Sequence, residues 1–176
     1  EAADSLGGTT GAASLQALMA PTARTSARTS VVPLRRCVTR REYGAHADEH
    51  YAAQAAHAAF DLADRLERQL SRFLPNSDVA RINRLAAGDT TRVGDATMEC
   101  LVIARHVFDV TGGAFDVSIG TGLPSLELYA DDGMVRAATG KVRIDLGGIG
   151  KGYAVDLMAE LLEEWDDRYR YVIELG

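Results

Sequence analysis

The spacing of apolar residues changes from a helical period to a period of two at Gly112-Gly113, and that change limits the folds open to this chain. Upstream of the glycines the period is helical. Phe60, Ala63, Leu66 and Leu70 share a stripe with Glu67, while Asp61, Asp64, Arg65 and Arg68 take the opposite side, which is the pattern of an amphipathic helix. This helix is expected from about Asp48 to Leu70, ending at Phe73-Leu74-Pro75-Asn76-Ser77. Ser77 is placed to cap a short second helix that carries Val79, Ile82 and Leu85 and stops at Gly88, because a serine hydroxyl accepts from the amides a helix start leaves unpaired. A third helix is expected from about Asp95 to Thr111, with Met98, Leu101, Val102, Val107 and Phe108 inward. Gly112-Gly113 ends it, as glycine does in a left-handed cap.

Downstream the period becomes two. Leu126-Glu127-Leu128-Tyr129 and Met134-Val135-Arg136-Ala137 flank Asp131-Asp132-Gly133, a hairpin signal. Thr139-Gly140-Lys141 reads as a second turn into Val142–Leu146, giving a three-stranded antiparallel meander. A glycine-rich segment follows at 147–152, then a helix from about Tyr153 to Trp165 and a strand at Tyr171–Leu175. Its inward positions are Tyr153, Leu157, Met158, Leu161, Leu162 and Trp165. Helices followed by strands predict an α+β fold, with helices packed on a mixed, largely antiparallel sheet. The chain stops at Gly176, directly after a strand, so the sheet is expected to be incomplete at the C-terminus.

With 176 residues the chain suits one domain with a real core. Residues 1 to about 36 read as a tail: Gly, Ala, Ser and Thr dominate, Ala-Arg-Thr-Ser occurs twice in tandem, and little apolar surface is available to offset ordering. The net charge of −6 gives no reason to expect a nucleic-acid or anionic-membrane partner. Arg24, Arg28, Arg35, Arg36, Arg40 and Arg41 crowd the first quarter, mostly within the expected tail. Cys37 and Cys100 are too few for a disulfide framework, and Cys100 reads as a buried free thiol in the third helix. No apolar run reaches the roughly 20 residues of a membrane span. Leu15–Ala20 is too short for the apolar region of a secretory signal. The first residue is Glu1 rather than methionine, so the start is expected upstream and the compartment stays open.

Residues 145–152 are the most suggestive chemically. They lead from a strand into a helix, where aligned amides and the helix dipole attract phosphate oxygens. A P-loop would need glycine at Asp145, and a dinucleotide fingerprint starting at Gly148 and Gly150 would need glycine at Tyr153. Neither motif is present, and a tight packing turn and an anion site remain equal readings. Asp145 suits a ribose hydroxyl or base amino group, or the loop's own amides. Lys151 can reach a phosphate or stand in solvent. In Thr111-Gly112-Gly113-Ala114-Phe115-Asp116, small residues permit close approach of a ligand, although a helix stop followed by a buried phenylalanine explains the same letters. Phe73, at a helix-end turn, can stack on a flat ring or belong to the core. The histidines His46, His50, His57 and His106 form no ligand set.

Taken in order, Leu70-Ser71-Arg72-Phe73-x-Pro75-x-Ser77-Asp78, Asn83, Thr111–Asp116 and Asp145–Asp156 resemble the FAD:protein FMN transferases, the ApbE family, over about residues 37–176. The resemblance implies an enzyme that binds FAD, requires Mg2+, and moves FMN to a threonine or serine hydroxyl of an acceptor protein, releasing AMP. It implies that Phe73 lies against the flavin, that Ala114, Phe115 and Asp116 form an FAD-binding segment, that Asp145 holds the nucleotide, and that Lys151 contacts FAD. Gly148 matches a position of the magnesium site, which glycine can serve only through its carbonyl. Magnesium and fixed donors then neutralise the diphosphate while the acceptor hydroxyl attacks the FMN phosphorus.

Two departures stand out. The family's first-strand methionine motif aligns with Cys37-Val38-Thr39-Arg40-Arg41, where methionine is absent. The family also continues past the final strand with a glycine-rich loop, a histidine-containing segment and carboxylate and hydroxyl ligands for magnesium. Residues 37–176 are thus expected to be an N-terminal portion, inactive unless another polypeptide completes the site. The alternatives are a magnesium-dependent FAD pyrophosphatase, with water replacing the hydroxyl, and a flavin-binding remnant without catalysis.

Overall fold

A computed structural model describes residues 36–41, 49–165 and 170–175. Residues 1–35 of the expected tail, His46, and Asp48 at the expected helix start lie outside them. The order is β1 (Arg36–Arg41), α1 (Glu49–Leu70), α2 (Asp78–Ile82), β2 (Thr90–Arg92), α3 (Asp95–Val110), β3 (Leu126–Tyr129), β4 (Met134–Ala137), α4 (Gly150–Trp165) and β5 (Arg170–Leu175). The fold is α+β. Strand pairing among the described residues is antiparallel throughout, in a two-stranded sheet β1-β5 and a three-stranded sheet β2-β4-β3.

Two apolar clusters organise these elements. The larger joins Leu66 and Leu70 of α1, Val79 and Ile82 of α2, Leu101 of α3, Leu126 and Val135 of the hairpin, and Ile144, Leu146 and Ala154. Each fully buried Leu or Ile side chain contributes about 1.5–3 kcal/mol. The smaller joins the alanine-rich first part of α1 to α4: Ala55, Ala56, Ala59, Phe60 and Ala63 meet Met158 and Leu162. Small side chains on α1 let the two helices approach closely. Their far end is fastened by Tyr51, whose hydroxyl donates to the Trp165 carbonyl at 2.6 Å and whose ring lies 5.2 Å from the Trp165 ring.

The expected caps form. The Ser77 hydroxyl accepts from the Ala80 amide at 2.9 Å. Gly112 and Gly113 take φ of 60° and 84°, the left-handed region that glycine enters without a side-chain penalty. The helix α3 has no cap of its own at Gly94. Asp78 supplies one from α2: its Oδ2 accepts from the Gly94 amide at 2.7 Å and the Thr97 hydroxyl at 2.9 Å, while Oδ1 holds Arg81 at 2.7 Å. A carboxylate suits that place because the helix start carries positive charge. A methyl at Gly94 would sit 2.9 Å from Gln69 Oε1, so the end of that side chain would have to shift.

Two expectations are corrected. The hairpin β3–β4 forms, turning through Gly133 at φ 62°, but its third strand is Thr90–Arg92, not Val142–Leu146. The 142–146 segment does alternate, with Val142, Ile144 and Leu146 buried. Its backbone pairs instead with 117–119, through Ile119 N to Arg143 O and Asp145 N to Val117 O, both 2.8 Å. Alternation reports which face is buried, not which backbone lies alongside. The second correction is Val102, expected inward but 45% exposed. The buried stripe of α3 is Thr97, Cys100, Leu101 and Ala104, at spacings of three and four, and Val102 falls off it. Among the described residues no helix is long and apolar enough to cross a membrane.

Candidate functional site

The site grows from the loop that ends α1. Ser77 closes it: its hydroxyl donates to the Ser71 carbonyl at 2.6 Å, and its amide donates to the Leu74 carbonyl. Arg84 donates to the Pro75 carbonyl at 2.8 Å, and Arg81 to the Asn76 carbonyl at 3.3 Å. So braced, the loop turns Phe73 outward, 55% exposed. It is therefore not a core residue. An aromatic held in water by a fixed backbone is suited to stacking on a flat ligand.

Arg72 stands beside it. The guanidinium carbon lies 4.4 Å from the Phe73 ring centroid, and Nε lies 3.0 Å from Asp145 Oδ2. Both contacts are of the surface kind, since the side chains of Arg72 and Asp145 are 40% and 36% exposed. Such contacts contribute on the order of 0.5–1 kcal/mol each. The other carboxylate oxygen of Asp145 accepts from the Gly147 amide at 2.9 Å, so one oxygen serves the loop and the other serves Arg72.

The position of Asp145 comes from the residue before it. The Asn83 side chain takes both backbone groups of Ile144, donating to its carbonyl and accepting from its amide. A 3₁₀ turn over Leu146–Gly148 then leads into α4. A methyl added at Gly148 would sit 3.6 Å from the Phe115 ring. Phe115 is half-buried against the larger core cluster, and its amide donates to the Thr111 hydroxyl at 3.2 Å. Asp116 is exposed and accepts from the Ser118 amide at 2.7 Å. Ala114 is exposed.

The fold thus brings Phe73 and Asp145 to one place through Arg72, and sets Phe115 against Gly148. Ala114 and Asp116 flank Phe115, and Lys151 is exposed on the first turn of α4. A separate open concavity, lined by Gly120, Thr121, Thr139, Gly140 and Lys141, contains none of these residues. Arg72 was in the motif but not among the expected site residues. Its place directly before Phe73 in the Ser71-Arg72-Phe73 run was the signal the sequence held.

The arrangement offers a solvent-facing ring, a cation, a carboxylate with one oxygen already oriented, and a glycine turn before a helix, which are groups able to hold a flat ring and an anion. It does not build a magnesium site alone. Among the described residues no group of three or more His, Cys, Asp or Glu is gathered to hold a metal ion, and Gly148 offers one carbonyl where Mg2+ takes six oxygens.

The model of the ApbE family matches residues 34–130 and 121–176. No curated protein matches the chain. Among solved structures, the apo flavinyl transferase ApbE of Pseudomonas stutzeri is similar with a TM-score of 0.67 at 21% identity, covering 79% of this chain and 51% of that one. The ApbE protein of Thermotoga maritima gives 0.64 at 23%, covering 70% and 49%. The flavin transferase ApbE of Vibrio cholerae gives 0.67 at 18%, covering 82% and 58%. At these identities the likeness is one of fold. The chain spans about half the length of the structures it matches.

Proposed function

The chain belongs to the ApbE family, and we propose that it forms the flavin-nucleotide side of an enzyme that transfers FMN from FAD to an acceptor protein. The observation that carries this reading is the meeting of Phe73 with Asp145 through Arg72, with the Phe115 ring facing the place a side chain at Gly148 would take. Phe73 and Arg72 come from one segment and Asp145 from another, and all three lie outside the buried core.

In this reading the Phe73 ring lies against the isoalloxazine. Asp145 accepts from a hydroxyl or amino group of the nucleotide, held in orientation by the Gly147 amide. Ala114, Phe115 and Asp116 form a wall of the FAD site, and Lys151 contacts FAD from α4. The acceptor's threonine or serine oxygen forms a bond to the FMN phosphorus and its proton passes to solvent, while the bond from that phosphorus to the AMP-side oxygen breaks and AMP leaves with that electron pair. Mg2+ is proposed on the resemblance. Gly148 would give it one carbonyl, and its other ligands would be phosphate oxygens, water and residues outside those described.

The test is FAD binding, followed by fluorescence or calorimetry with and without Mg2+. Binding that tightens with Mg2+ supports the reading, and no binding in either condition removes it. Release of free FMN and AMP without any acceptor would instead identify a pyrophosphatase.

A further inference from the structure

Between the exposed ring and the carboxylate stands a cation. The order is Phe73 ring, Arg72 guanidinium at 4.4 Å, then Asp145 at 3.0 Å from Arg72 Nε. If the ring meets the flavin and the carboxylate meets the adenosine, the parts of FAD between them are its ribityl chain and its diphosphate. Of these only the diphosphate carries the negative charge that a guanidinium binds. Resting on that reading, we propose that Arg72 is a diphosphate-binding residue, stored on Asp145 and Phe73 until the dinucleotide arrives.

The chemistry of the exchange is balanced. A guanidinium presents a planar fork of donors that matches phosphate oxygens, and it keeps its charge at any working pH. The contacts that hold Arg72 are solvent-exposed and screened by salt, so a doubly charged diphosphate competes well with one carboxylate. When Arg72 turns away, Asp145 Oδ2 is released to accept from the nucleotide, while Oδ1 stays on the Gly147 amide. Both partners of the ion pair thus gain a new one.

Two neighbouring arginines are held by the loop and by α2 rather than by Asp145. Arg84 is committed to the Pro75 carbonyl, and Arg81 to Asp78 and to the Asn76 and Arg92 carbonyls. The backbone at Arg72 need not move, because Ser71 donates to the Glu67 carbonyl and accepts from the Ser77 hydroxyl.

The experiment titrates the full chain with FAD, ADP and riboflavin, at low and moderate salt, for the wild type, R72M and R72K. The expected result is that R72M binds FAD and ADP about tenfold or more weakly and loses part of their salt dependence. Riboflavin, which has no phosphate, keeps its affinity. R72K, with a charge but no fork, recovers part of the loss. Matching thermal unfolding of R72M and wild type shows that both are folded. An equal loss for riboflavin would mean that Arg72 acts by orienting Phe73, and it overturns the proposal. Unchanged FAD and ADP affinity in R72M also overturns it while leaving the flavin reading intact. A wild-type chain that binds none of the three removes the flavin reading and this proposal together. Where riboflavin is too weak to measure, the ADP affinities and the salt dependence decide.

Discussion

Asn83 holds Ile144 by both backbone groups: Nδ2 donates to the Ile144 carbonyl at 3.0 Å, and the Ile144 amide donates to Oδ1 at 2.7 Å. One side chain thereby acts as a strand partner, on the edge of the 142–146 segment that 117–119 leaves open. It fixes the residue directly before Asp145. Asn83→Ala strips partners from a buried residue and is expected to cost about 2 kcal/mol, measured as a lower urea midpoint. Flavin affinity should fall as well, since Asp145 and Gly147 lose their anchor. Unchanged affinity in a destabilised variant would separate this bond from the site.

Phe73 should behave oppositely. Its ring is exposed, so Phe73→Ala is expected to change stability by less than about 0.5 kcal/mol. FAD affinity should drop about tenfold, as the loss of a stacking aromatic implies. A large fall in melting temperature with intact FAD binding would return Phe73 to a packing role.

Asp78 is a stability residue rather than a binding one. Its carboxylate serves Arg81, the Gly94 amide and Thr97 together while itself buried. Asp78→Ala should cost roughly 3 kcal/mol, because three donors lose their acceptor. Asp78→Asn should cost less, as it keeps one acceptor oxygen. Urea unfolding of both variants checks the order.

Cys100 makes stability depend on pH in the alkaline range. Burial, assisted by neighbouring Glu99, pushes its thiol from 9.0 up to about 12. The folded chain therefore keeps the proton that the unfolded chain releases. This contribution is fully present below about pH 9 and is lost as pH rises towards 12. Tyr153 adds the same sign, its hydroxyl raised by burial and by the 2.5 Å hydrogen bond to Glu99. The urea midpoint should fall between pH 8 and pH 10.5, and less steeply in Cys100→Ala. Iodoacetamide should reach Cys100, identified by its peptide mass, only as the chain unfolds. Rapid labelling under native conditions would contradict its burial.

Much of this fold was legible in the letters because it depends on neighbours in the chain. A 3.6-residue stripe places α1 from Phe60 to Leu70, a serine before Asp78 caps α2, and adjacent glycines enter the left-handed region after α3. These are questions of local sterics and hydrogen bonding, answered within a few residues. The same holds for the turn at Gly133 between β3 and β4. The candidate site was legible as a set of segments, Phe73, Ala114–Asp116, Asp145–Gly148 and Lys151, without an account of which touch.

What needed the folded chain was contact between distant residues. Val142, Ile144 and Leu146 alternate as a strand should, yet their backbone partners are 117–119 and the Asn83 side chain, while the hairpin takes Thr90–Arg92 instead. Val102 is as apolar as its neighbours, but the spacing of Cys100, Leu101 and Ala104 set the buried face. The ion pair of Arg72 with Asp145 exists because a loop after α1 and a turn before α4 pack on one core. Burial patterns are written locally, since each side chain either reaches the core or does not. Pairing is a property of three-dimensional proximity, and many partners satisfy the same pattern until packing selects one.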